Sequence, residues 1–162
     1  MTMRLRGALL GLVAMATGSS AQAQAIDPTS FASAAEIAAQ VAAMGKAMKP
    51  GQGFLWQPLV RDGKTVAALE YWKAPGRPAV HPEEAEYAIV IAGAGSLISG
   101  GTIADAKVSK PGLVEGSRIE GGTIRQLAVG DVLLIPAGTP HYFGVTGDRL
   151  VLLGIKLAPT AR

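Results

Sequence analysis

The chain has two histidines, and each stands where its neighbours could give it chemistry. His81 lies in AVHPEEAEYAIVIAG, with Glu86 five residues on and Gly93 seven beyond that. His141 ends the stretch GDVLLIPAGTPH, directly after Pro136, Gly138 and Pro140. Two imidazoles and a carboxylate suit a divalent transition metal such as Fe, Mn, Ni, Zn or Co, provided the fold brings these remote segments together. A pair of histidines with purely structural duties fits the same spacing. Tyr71, Tyr87 and Tyr142 are the only tyrosines; each could act as an acid, a base or an orienting donor, or simply pack with its hydroxyl satisfied. Glu83 and Glu84 could substitute as ligands, but HPEE reads as a solvated turn.

The elements that must position these groups are strands. From Gly53 onward short apolar runs alternate with Gly, Pro and Asp turns. FLWQPLV, TVAALEYWK, EYAIVIA, SLIS, TIRQLA, DVLLI, HYFGV and RLVLLGIKLA read as separate strands, with a looser stretch over residues 100–122. Many short strands with turn chemistry between them predict an all-β barrel or sandwich. Gly93 and Gly95 begin a pattern that resembles a dinucleotide loop, but the third glycine is replaced by Ile98 and no helical period follows. A GAG hairpin turn is the better expectation. SGGTI and EGGTI are too short to define a repeat.

Before the strands, Ser33 and Glu36 form a capping-box pair. Ile37, Val41, Met44 and Met48 fall on one face of a helix, which Pro50-Gly51 ends. That stripe suits either a docking helix or, as preferred here, a helix covering the flank of the main domain. The first 25 residues carry Arg4 and Arg6, a short apolar run, and two small-x-small sites ending at Ala25. They read as a secretory signal peptide, too short for a membrane span. The expected organisation is a signal over 1–25, a helical segment over 26–52 and a barrel over 53–158, with periplasmic or secreted location and no membrane association after cleavage.

Composition narrows the function. The formal net charge is +3. Removing the signal takes two of the fifteen basic residues and leaves thirteen against twelve acidic, a net charge of +1. Basic residues are scattered, so no nucleic-acid partner is expected. There is no cysteine, which excludes disulfides, thiolate metal sites and cysteine nucleophiles. No nucleophile-elbow pattern accompanies the serines, which argues against a serine hydrolase.

The two histidine segments resemble the two motifs of the cupin superfamily. The second motif reads G, five residues, P-x-G, two residues, H, three residues, N. Gly130, Pro136, Gly138 and His141 match it, and Val145 stands at the Asn position. The first motif reads H-x-H, three or four residues, E, six residues, G. His81, Glu86 and Gly93 match it; Ala79 takes the place of the first histidine and Lys73 that of the opening glycine. The resemblance runs from about Phe54 to Leu157 and is nearest to small secreted single-domain cupins. It implies an all-β double-stranded β-helix, or jelly roll, with the N-terminal helix packed on its flank. It implies a metal held near the wider mouth by His81, Glu86 and His141, and dimers paired through strands, so a homodimer is expected. A two-histidine, one-carboxylate set leaves about three positions of a six-coordinate ion open. Alternation points Ala88, Val90, Phe143 and Val145 inward, so a small dry pocket and a compact small-molecule substrate are expected. The activities the resemblance implies are dioxygenase, isomerase, lyase or decarboxylase chemistry on a small oxygenated molecule. A non-catalytic ligand-binding barrel is the alternative, and a structural or dimerising domain a third.

Overall fold

The structure is a computed structural model that describes residues 27–158; the signal-peptide reading lies outside the described residues. Among the described residues one helix, α1 (Ala34–Ala47), precedes eleven strands. They are β1 (Phe54–Asp62), β2 (Thr65–Trp72), β3 (Ala79–Val80), β4 (Ala85–Ser99), β5 (Thr102–Ala104) and β6 (Lys107–Lys110). Then follow β7 (Leu113–Glu115), β8 (Arg118–Glu120), β9 (Thr123–Leu127), β10 (Val132–Ile135) and β11 (His141–Leu157). Among the described residues no helix is long and apolar enough to cross a membrane.

β11 is the hub. It pairs antiparallel with β2, β3 and β4, while β4 also takes β9 and β10. The result is a curled nine-stranded sheet, with β5 and β8 as a separate pair. Pro58, which cannot donate to a ladder, sits on β1 at the end of the strand order and beside a bulge, as its chemistry requires.

The expected turn at GAG is not a turn. EYAIVIA and SLIS continue as one strand, β4, and HYFGV and RLVLLGIKLA continue as β11. The bend that the glycines signalled is a bulge instead. Between Val145↔Gly95 and Leu150↔Gly93, residues 146–149 have no register partner. Gly93 has φ of 75°, and a Cβ there would collide with the Arg149 carbonyl oxygen. Positive φ and close backbone approach both demand glycine, and a bent strand needs that as much as a hairpin does. The loose stretch over 100–122 forms the short strands β5 to β8, in which Thr102 pairs with Glu120 and so sets the two GGT segments side by side.

Alternation along β2 and β11 divides the core in two. Ala88, Val90, Leu97, Leu127, Ile135, Phe143, Leu150 and Leu152 fill the barrel. On the outer face Met44 and Met48 pack with Leu69, Tyr71 and Val151, flanked by Ile37 and Val41. The helix therefore covers the flank. Its start is fixed by a complete capping box, in which Ser33 and Glu36 satisfy each other's backbone N–H groups, contributing about 1 kcal/mol.

Candidate metal centre

Three strands of different origin bring the chemistry-bearing groups together. His81 follows the two-residue β3 and is tied down when the Gly138 N–H donates to its carbonyl at 2.8 Å. Glu86 begins the buried phase of β4. His141 opens β11 and is the register partner of Ala79. The His81 and Glu86 segment and the Pro-Gly-Pro corner thus meet through backbone bonds, which orients the side chains.

His81, Glu86 and His141 each offer one ligand atom, and all three atoms lie within 4.8 Å of one another. Glu86 Oε2 is 3.4 Å from His141 Nε2 and 3.9 Å from His81 Nε2. Bond lengths of about 2.1 Å to a shared ion place ligand atoms roughly 3–4.2 Å apart, so both Glu86 separations suit one ion, and within 4.8 Å the trio needs only a small inward shift to share it. The two rings stack with centroids 5.5 Å apart. His141 Nδ1 lies 3.0 Å from the Thr139 carbonyl oxygen. A carbonyl only accepts, so Nδ1 carries a proton and Nε2 is the nitrogen turned to Glu86 and the cavity. With Nε2 unprotonated, that ring orientation is the one a metal-ligating imidazole needs.

The electrostatics are set by burial and by a residue that the sequence analysis passed over, Lys156. Its Nζ bonds Glu86 Oε2, the register partner on β4. Burial alone would raise the Glu86 carboxyl, but the His141 hydrogen bond and the Lys156 ammonium outweigh it and hold the group down at about 2. Burial pushes His81 down to about 4, helped by the Lys156 charge and opposed by Glu86. A second buried carboxyl, Glu70, faces the same space from β2. Burial and the neighbouring Glu86 charge push it up to about 7, against the pull of Lys156. Gly154 makes room for it: a Cβ there would lie 3.1 Å from Glu70 Oε1.

The cavity has a volume of about 770 Å³ and is lined in part by Ala79, Trp72, Phe143 and Glu115 besides the groups above. The expectation of a small dry pocket is corrected on this point. Ala88, Val90 and Phe143 do point inward and are buried, with Val145 packed beside them. The mouth is nevertheless wide and charged, because Glu70 and Lys156 occupy inward positions of apolar strands. Glu70 is the one charge within TVAALEYW, in phase with Ala68, and Lys156 is the one charge after Arg149 in RLVLLGIKLA, in phase with Leu150 and Leu152.

Tyr142 lines the cavity. Tyr71 belongs to the outer cluster under α1, and its hydroxyl approaches Gly45. Tyr87 neighbours Glu86 on β4, where alternation turns it to the opposite face, and it is half-buried. Glu83 and Glu84 are exposed. Ala79, where the resemblance would place a further histidine, lies on the cavity wall, so the wall position exists without its ligand.

No protein-family model matches the chain, and no curated protein matches it. Solved structures do. A DMSP lyase, DddQ from Ruegeria pomeroyi DSS-3, is 21% identical with a TM-score of 0.52, covering 84% of this chain and 70% of that one. A hydroquinone 1,2-dioxygenase, PnpCD, in complex with Cd2+ and 4-hydroxybenzonitrile, is 16% identical with a TM-score of 0.53, covering 72% and 70%. A conserved double-stranded β-helix protein from Klebsiella pneumoniae subsp. pneumoniae MGH 78578 is 14% identical with a TM-score of 0.50, covering 73% and 89%. At these identities the likeness is one of fold: the chain has the cupin double-stranded β-helix.

Proposed function

We propose that the protein is a metal-dependent cupin enzyme that acts on a small oxygenated molecule, with His81, Glu86 and His141 as the ligands of one divalent transition-metal ion. The observation that carries this reading is the convergence of three suitable ligand atoms, with His141 Nδ1 already engaged by the Thr139 carbonyl. A divalent ion held there supplies Lewis acidity toward substrate oxygens. The chain's own residues do the rest. Trp72 and Phe143 supply apolar wall to the cavity. Glu70, at about 7, can hold or release a proton near neutral pH, the range in which general acid–base catalysis is most effective. The volume suits a small molecule, and similarity to a lyase and a dioxygenase supports enzymatic use of the fold without selecting the reaction.

A non-catalytic ligand-binding barrel is the second reading, and two observations favour it. Ala79 removes one ligand position, and Lys156 neutralises Glu86 without a metal. Elemental analysis of protein purified from its native compartment, followed by turnover assays with and without chelator, decides between them. One metal per chain and chelator-sensitive turnover are expected of the enzyme; tight ligand binding with no turnover supports the barrel. The same purified protein tests our proposal of export, since its mass should correspond to cleavage near Ala25.

A further inference from the structure

Three cations and three carboxylates line the cavity: Arg77, Lys110 and Lys156 against Glu70, Glu86 and Glu115. They are not equivalent. Arg77 and Glu115 face each other across 3.9 Å near the surface, and Lys110 is exposed. Lys156 reaches inside. It shares the inward phase of β11 with Leu150 and Leu152, and its ammonium holds the same oxygen, Glu86 Oε2, that faces both imidazoles.

Glu86 Oε2 cannot serve a divalent ion and the Lys156 ammonium at full strength together. With Oε2 committed to an ion, Lys156 loses the acceptor it now holds. The other inner carboxyl, Glu70, makes no ion pair with Lys156, whose ammonium is bonded to Glu86. With all six lining groups charged the sum is zero, and a divalent ion raises it to +2. A wall carrying such an excess attracts an anion. A further donor, the Trp72 indole N–H, is buried on the cavity wall beside the Glu70 carboxyl.

Resting on the metal reading above, we infer that the substrate carries a carboxylate and that the Lys156 ammonium, freed from Glu86, is the group that grips it. Phosphate sites are commonly built from helix N-termini, clustered backbone N–H groups or arginine forks. Among the described residues the one helix lies on the opposite face of the sheet, and the inner donors are one ammonium and one indole N–H, a set matched to a small carboxylate. Lys156 is thereby a specificity-determining residue.

Cobalt(II)-loaded protein provides the test. Its metal content is read by elemental analysis, and titrations with acetate, malonate, malonamide and inorganic phosphate are followed by calorimetry and by the visible cobalt bands. Malonate or acetate should bind, malonamide should not, and Lys156→Met should weaken carboxylate binding by at least about tenfold while cobalt stoichiometry is kept. Lys156→Arg should retain most of the affinity. Equal binding of malonate and malonamide by the wild type overturns the inference even if the methionine variant fails to fold. So does unchanged carboxylate affinity in a cobalt-loaded Lys156→Met protein, or a preference for phosphate. Failure of the wild type to take up cobalt is a separate result, which removes the metal reading and this inference with it.

Discussion

The two faces of β2 carry opposite designs one residue apart. Leu69 and Tyr71 point outward beneath α1, into a cluster of methionine and aliphatic side chains. Glu70 points inward to a charged cavity, with Lys156 and Glu86 beyond it. The outer face is ordinary burial: apolar area removed from water, with a capped helix as its lid. The inner face keeps ionisable groups buried, which costs several kcal/mol unless each finds a partner. Apolar burial on the outer face is uninterrupted, whereas on the inner face it fills one end of the barrel and gives way to ionisable groups at the cavity.

Substitutions on the two faces should separate metal binding from stability. The largest effect is expected from His141→Ala, which should abolish stoichiometric metal while circular dichroism still reports a β protein; unchanged metal content would refute the ligand assignment. Met44→Ala should do the reverse. Met44 is 1% exposed, so truncation should cost about 2–5 kcal/mol in denaturant unfolding and leave metal content alone.

Titration of the metal-free protein should expose the inner face. Glu70 is raised, so its contribution to stability is complete below about 4.5 and is lost as pH climbs toward 7. His81 is lowered, so its contribution is complete above 6.5 and is lost as pH falls toward 4. The two slopes oppose each other between about pH 4.5 and 6.5. Glu70→Gln should remove one of them, on the order of 3 kcal/mol, and leave stability rising with pH across that window. A variant with the wild-type pH profile would remove Glu70 from this account. Proton competition with metal at His81 should likewise set in nearer pH 4 than the pH 6 expected of a free imidazole. The smallest effect belongs to Ser33→Ala, about 1 kcal/mol from the lost cap, with metal binding untouched.

What was legible in the sequence follows the same division. The outer face announced itself through period: Ile37, Val41, Met44 and Met48 mark a helix, and its cap is written in Ser33 and Glu36. The convergence of His81, Glu86 and His141 was legible from the two motifs, because Pro136, Gly138 and Pro140 define a corner independently of the rest of the chain. Glu70 and Lys156 were not picked out. A single charge within an apolar strand is no signal of direction until its neighbours' phase is fixed, and that phase depends on which strands pair. The continuity of β4 and β11 was hidden for a related reason. Positive φ at Gly93 is common to turns and bulges, and only the partner strand distinguishes them.

β11 carries His141 at one end and Lys156 near the other, and it is the partner of β2, β3 and β4. A polypeptide emerging from the ribosome makes this strand after all the others described, so until residue 141 and beyond have appeared the earlier strands have open edges and Glu86 faces solvent instead of an ammonium. Closure then depends on contacts remote in sequence, which form on the order of milliseconds to seconds. A nascent chain arrested before β11 would hold His81 and Glu86 but neither their companion imidazole nor the barrel that confines them.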